Sequence, residues 1–332
     1  MDFRIFPKTE LHLHLDCSPS FDLIRRLDPS VTRETYEQTF ALSEKCTDLA
    51  QFLSHVPRLL ACMQTEYQLR ALVADLFLQL ARDGVIYAEI RFAPHQHTEA
   101  GLSPAQVVAI VADALDKAVV ESSVEGRLIL CSLRHYNQTQ ALETAELVAQ
   151  FKGSRVVALD LAADEAGFPI QPQVAAFRYA HERGLFCTAH AGEALGPESV
   201  WQTLEVLSPH RIGHGVRSIE DARLITHLAE NQIHLEVCPS CNVLIDVYST
   251  MENHPVNELL EAGIPISIST DGRTLPAITQ TDQYQSLAET FGWGPEQFLA
   301  CNLYAIEAAF IPETLKQTLK ARLQAGYSMD EH

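Results

Sequence analysis

Residues 173–193 read Gln-Val-Ala-Ala-Phe-Arg-Tyr-Ala-His-Glu-Arg-Gly-Leu-Phe-Cys-Thr-Ala-His-Ala-Gly-Glu. Helical periodicity runs through Gln173–Arg183, Arg183-Gly184 gives a stop signal, and a short β-rich segment follows at Leu185–His190. A helix delivered by a tight turn into a strand is half of a parallel α/β unit. Working outward, the same unit recurs. Strands are expected at Glu10–Leu15, Val85–Phe92, Arg127–Leu133, Val156–Leu161, Leu185–His190, Arg211–Gly213, His234–Cys238 and Ile264–Ser269. Helical patterns lie between them, for example at Pro104–Val120, Ala141–Lys152 and Ile219–Asn231, and Ala262-Gly263 stops the helix before the eighth strand. Eight such units predict closure into an α/β (β/α)8 TIM barrel, although pattern alone also allows a doubly wound sheet.

Two stretches exceed a minimal barrel. The connection Asp16–Gly84 after the first strand is long and mostly helical, and its place at a strand's carboxyl end makes it a candidate lid. Helical patterns also continue past the eighth strand through Thr281–Phe291, Pro295–Ile311 and Thr314–Ala325. No linker or repeat divides the chain, so residues 1–332 are read as a single domain.

The composition is ordinary for a globular core, 47% hydrophobic and 20% charged over 332 residues. With 24 basic and 43 acidic side chains the formal net charge is -19, the same sign as nucleic-acid polymers and anionic membranes, so neither is expected as a partner. The start, MDFRIFPKTE, does not resemble a leader, and the apolar run at 71–81 is short and holds Asp75. A soluble, cytoplasmic protein is expected. The eight cysteines sit mostly in apolar runs and read as reduced core thiols. Only Cys238-Pro-Ser-Cys241 has paired spacing, and without a second pair it reads as two reduced thiols at a strand end.

Chemistry enters at His12-Leu13-His14. Residues two apart on a strand face the same side, so both imidazoles point into the barrel while Leu11, Leu13 and Leu15 face the helices. An isolated pair of this kind would read as one buried and one exposed histidine. Here His190 ends the fifth strand and Asp271 ends the eighth, which brings three imidazoles and a carboxylate to one rim, as in a catalytic metal site. Asp271 alone would read as a helix N-cap. Glu193 and His214 fall just past strand ends at the same rim and suit general acid–base work in metal-assisted hydrolysis. A second pair, His95-Gln-His97, follows Pro94, so strand alternation fails there and it reads as a loop near the mouth.

The segments Pro7-Lys-Thr-Glu-Leu-His-Leu-His-Leu-Asp16, Thr188-Ala-His-Ala-Gly-Glu193, Arg211-Ile-Gly-His-Gly215 and Ser269-Thr-Asp271 stand in the order and spacing of the adenosine deaminase family. Val157–Glu165 and Glu236–Asn242 are also similar to family segments, so the resemblance covers essentially the whole chain. It implies one Zn2+ per chain held by His12, His14, His190 and Asp271. It implies that His214 and Asp271 hold and help deprotonate the water that attacks C6 of a purine nucleoside, and that Glu193 protonates ring N1. Asp16 would meet the ribose 5′-hydroxyl and the Ala163 backbone N–H purine N3, with His14 and Gly272 also against the substrate. The implied reaction takes adenosine or 2′-deoxyadenosine to inosine or 2′-deoxyinosine plus ammonia.

This sequence also departs from the family pattern. Typical members carry a second Asp, against N7, where this chain has Gly272, and Cys17 and Ala163 each stand in place of a glycine. Gly272-Arg-Thr-Leu-Pro276 is similar to a bacterial variant in which the second position is relaxed. Alternatives are therefore a modified adenosine, such as aminodeoxyfutalosine or an N6-substituted adenine derivative, another hydrolase of the same barrel type, or a catalytically inactive purine- or metal-binding barrel. Oligomeric state is not legible.

Overall fold

Eight parallel strands follow one another around a ring in chain order: β1 (Lys8–His14), β2 (Val85–Phe92), β3 (Glu125–Leu133), β4 (Val156–Ala162), β5 (Phe186–Ala191), β6 (Arg211–His214), β7 (His234–Val237) and β8 (Ile266–Ile268). The computed structural model describes residues 1–42 and 44–328. The first and last strands meet at the bridge Leu13–Asp271, where His14 N–H donates to Asp271 O at 2.7 Å and Asp271 N–H to His12 O at 3.1 Å. The architecture is the expected TIM barrel.

Helices cover the outside, and their starts follow local chemistry. Thr65, Ser103, Asn137 and Thr279 each form a capping box with the residue three positions on. Most boundaries lie within a few residues of expectation, and three of the differences have a local cause. The helix expected from Ile219 begins at Ala222, because Asp221 accepts Arg223 N–H and acts as its N-cap. β8 begins at Ile266, since Pro265 has no N–H to pair. β1 ends at His14, and Leu15–Cys17 forms a 3-10 turn tied back by Ser18 Oγ–H to His14 O at 2.6 Å.

The 16–84 connection carries helices Phe21–Leu27, Arg33–Thr39, Leu49–Leu53, Val56–Leu60 and Glu66–Arg82 over the carboxyl end of the barrel. It is stitched down by Leu42 N–H to Leu275 O and Cys46 N–H to Leu244 O, both 2.8 Å. The last three helices, Gln280–Phe291, Pro295–Ala308 and Glu313–Tyr327, pack on the barrel; Asn302 Oδ1 accepts Thr9 N–H at 2.7 Å. Among the described residues no helix is long and apolar enough to cross a membrane.

The barrel interior is charged. Arg91 on β2 reaches Asp160 of β4 at 3.0 Å and Glu236 of β7 at 2.5 Å, and Arg211 on β6 reaches Glu236 and Glu89, each at 2.6 Å. All five side chains are buried. Burial alone would raise Glu236, but the charges of Arg91 and Arg211 outweigh it and hold the carboxyl at about 2. Removing one partner from such a set leaves an uncompensated buried charge. Arg91→Met is therefore expected to lower stability by about 3–5 kcal/mol, read as the urea midpoint at constant slope. An unchanged midpoint would mean that the buried carboxylates do not depend on Arg91.

Candidate active site

Because β1 alternates its side chains, His12 and His14 leave it on the same face, and the closing bridge places Asp271 beside them. Asp271 Oδ1 lies 3.2 Å from His12 Nε2 and 3.4 Å from His14 Nε2, and His14 Nε2 lies 3.3 Å from His190 Nε2. His12, His190, His214 and Asp271 present ligand atoms that all fall within 4.8 Å of one another. His12, His14, His190, His214 and Asp271 thus converge, with His214 inside the tightest group of four and His14 at its edge.

Two carboxylates unremarked in the sequence orient the rings. Glu236 Oε2 takes His12 Nδ1 at 2.8 Å, and Asp160 Oδ1 takes His190 Nδ1 at 3.2 Å. Both Nε2 atoms are then left for the centre, and that of His12 is buried with no hydrogen-bond partner. Burial, with the Arg91 charge next, presses His12 well below its ordinary pKa. Burial and neighbouring His190 do the same for His14 and His214. Imidazoles whose Nε2 atoms turn inward beside a carboxylate, with that of His12 left unpartnered, suit a divalent cation of the zinc type.

His214 is set differently. Val256 N–H donates to His254 Nδ1, and His254 Nε2–H donates to Asn242 Oδ1. Asn242 Nδ2–H in turn donates to His214 Nδ1, with each of the three contacts at 3.2 Å. The relay leaves the His214 proton on Nε2, which faces Glu193 Oε1 at 3.3 Å. Glu193 is buried, and burial first, then the negative charge of Asp271, pushes its carboxyl well above the usual range. Its loop is clamped by the Glu165 carboxylate, which accepts N–H from Gly192 at 2.8 Å, Glu193 at 3.0 Å and Leu195 at 2.9 Å. Three non-glycine residues at strand ends here have left-handed backbone, Ala163 at φ 78°, His214 at 60° and Asp271 at 66°. Such conformations cost about 1–3 kcal/mol each and cluster at functional sites.

An inner chamber of about 50 Å³ lies against His14, His190, Glu193, His214, Asp271 and Gly272. An outer chamber of about 370 Å³ opens beyond it, with Asp16 and Asp164 on its wall and Leu53, Val56 and Leu60 of the helical insertion over it. Ala163 lines both chambers. Burial pushes Asp16 up to about 7. The expected mouth loop is a 3-10 turn, Pro94–His97, whose Gln96 lines the outer chamber. His97 is instead buried, with Nδ1 at 3.0 Å from Met63 O. Cys238 and Cys241 are free buried thiols just past β7, and Cys241 Sγ–H donates to Asp271 Oδ2 at 2.9 Å.

The Adenosine deaminase family model matches residues 7–325. The chain belongs to the adenosine deaminase family. Among its relatives, the adenosine deaminase of Clostridium acetobutylicum is 32% identical over 96% of this chain and 97% of its own length. An adenine deaminase of Mesorhizobium japonicum is also 32% identical, over 96% of this chain and 98% of its own. The crystal structure of an adenine deaminase from Arthrobacter aurescens superposes with a TM-score of 0.87 at 26% identity, covering 96% of this chain and 98% of that one. This member of the adenosine deaminase family is accordingly a hydrolytic deaminase acting on purines.

Asp160 and Glu165 lie in the family-like segment Val157–Glu165, and Glu236 and Asn242 in Glu236–Asn242, but neither segment's pattern assigns them a role. The available signal was a lone carboxylate inside an apolar strand, Asp160 in Val156–Ala162 and Glu236 in His234–Val237. Outer-shell partners of this kind tune metal affinity by about 10–100-fold. Protein purified without chelator is expected to hold one divalent metal per chain, and Glu236→Gln should weaken its retention in chelator competition by that factor. Unaltered retention would detach Glu236 from metal binding.

Proposed function

We propose that the site hydrolyses the 6-amino group of a purine nucleoside, adenosine or 2′-deoxyadenosine, to give inosine or 2′-deoxyinosine and ammonia. The observation that carries this reading is a buried Glu193 carboxyl, its pKa pushed up by that burial, facing the same small chamber as the histidine–aspartate donor set. One Zn2+ fits His12, His14, His190 and Asp271, and when bound such an ion supplies the Lewis acidity that makes water reactive near neutral pH. The tautomer imposed by Asn242 keeps His214 a donor, which suits it to orient the water rather than to ligate. Asp271 accepts a proton from that water. Glu193 donates its proton to ring N1, which draws electrons from C6 and makes it the electrophile; the water oxygen adds to C6, and the 6-amino group takes up the proton held by Asp271 and departs as ammonia as the C6–N bond breaks. His14 and Gly272 would border the base, with the Ala163 N–H meeting purine N3 and Asp16 the ribose 5′-hydroxyl.

A nucleoside fits better than the free base because the outer chamber continues past the inner one, with Asp16 on its wall. Neither chamber has lysine or arginine among its lining residues, and Asp16 and Asp164 face the outer one, so a phosphate group would meet like charge. The apolar roof of Leu53, Val56 and Leu60 supports a second reading, a 5′-modified adenosine such as aminodeoxyfutalosine, or an N6-substituted adenine derivative.

Glu193→Gln retains the shape but removes the transferable proton, so kcat should fall by at least ~10² with metal content unchanged. Near-normal turnover would show that another group protonates the ring. Across substrates, kcat/KM is expected to rank adenosine above adenine, with adenosine 5′-phosphate poorest. Preference for a 5′-substituted adenosine would favour the second reading, and no ammonia from any 6-aminopurine would reject both.

A further inference from the structure

Gly272 follows the residue that closes the ring, and it faces Cys17 across the seam between β1 and β8. Its backbone is not left-handed, so conformational freedom is not why glycine stands there. The reason is space. A Cβ on Gly272 would lie 2.8 Å from Cys17 Cβ and 3.0 Å from Cys17 O. Neither atom is the movable end of a long side chain, and Cys17 O is pinned by Arg273 N–H at 3.1 Å and Thr274 N–H at 3.0 Å. Side chains at positions 17 and 272 therefore crowd one another, and a glycine at 17 would remove the 2.8 Å clash and leave only the tight approach to the backbone oxygen. This chain places its side chain at 17, where Cys17 lines both chambers while Gly272 lines only the inner one.

Resting on the function proposed above, the ring order tells which edge of the base meets this seam. With eight strands in sequence, β5 stands four places from β1 in either direction, so Glu193, just past β5, lies across the barrel from Cys17 and Gly272. In a 6-aminopurine, C6 is flanked by N1 on one side and, through C5, by N7 on the other. If N1 meets Glu193 and C6 meets the Asp271 cluster, the imidazole edge of the purine points to the seam. We propose that Cys17, paired with Gly272, is a specificity-determining residue that packs against the N7/C8 edge of the base. That edge is selected by shape and by contact with a soft, weakly hydrogen-bonding sulfur, not by a carboxylate or carboxamide.

Two measurements test the pair. In thermal unfolding, Gly272→Ala should lower Tm, and adding Cys17→Gly to it should restore most of the loss. A Gly272→Ala protein as stable as the parent overturns the steric exclusion. In kinetics, the ratio of kcat/KM for adenosine to that for 7-deazaadenosine should be at least ~10-fold larger in the double variant Cys17→Gly/Gly272→Asp than in the parent, the scale of one hydrogen bond to a charged group. Differences in ring reactivity cancel because both proteins see the same two substrates. Where the double variant turns over too slowly, equilibrium binding of inosine and 7-deazainosine gives the same comparison. An unchanged ratio overturns this proposal alone; a parent that releases no ammonia from any 6-aminopurine overturns the deaminase reading, and the placement of the base with it.

Discussion

Two arginines and three carboxylates are sealed inside the barrel, and charges so placed persist only if each finds its counterpart. That requirement fixes more than the interior. Glu236 serves Arg91 and Arg211 and also His12 and Thr188, the last at 3.1 Å. Asp160 serves Arg91 and His190 in the same way. The orientation of two inward-facing imidazoles is thus a by-product of charge neutralisation below them. Loosening the salt-bridge layer would turn the rings, so stability and site geometry are one problem in this protein.

The rim above that layer is held in conformations the backbone does not favour. Ala163, His214 and Asp271 all take left-handed φ values without being glycine. Surrounding contacts offset the strain: Asp271 is pinned on both sides by the β1 bridge, and His214 by Asn242. The Glu165 carboxylate, buried among three N–H donors and the Ser199 hydroxyl, does the same for the Glu193 loop. The benefit is directional. Strand-end side chains that would otherwise follow the pleat are aimed at one small chamber.

How much of this was legible depended on how far the deciding contact reached along the chain. His12 and His14 are readable because strand periodicity is local, and the eight units are readable because each carries its own start and stop signals. The start of the helix at Ala222 was missed because Asp221 acts as a cap whose other oxygen is held by Trp201 Nε1–H at 3.1 Å, a contact set by tertiary structure. Glu236 and Asp160 were visible as charges in apolar strands, but their partners on β1, β2, β5 and β6 follow only from barrel register. The relay from His254 through Asn242 to His214 needs side-chain geometry that no spacing rule conveys. His95-Gln-His97 shows the converse, a pattern resembling the functional pair that here fastens a turn to Met63 within the helical insertion.

Chemistry and specificity are built from different parts of this barrel, and that difference explains why one could be inferred sooner than the other. The groups suited to hydrolysis sit on strand ends anchored to the charged interior, so residue type and strand position nearly define them. The walls against the rest of the substrate come from the 16–84 insertion, from loop residues such as Asp164, and from the β1–β8 seam. Those surfaces depend on packing between segments remote in sequence. Gly272 viewed alone looks like the loss of a contact. Beside Cys17 it becomes the vacant half of an exchange, since the volume missing at one position is occupied from the other. A substitution at a substrate wall therefore acquires its physical meaning only together with the residue that fills the space it vacates.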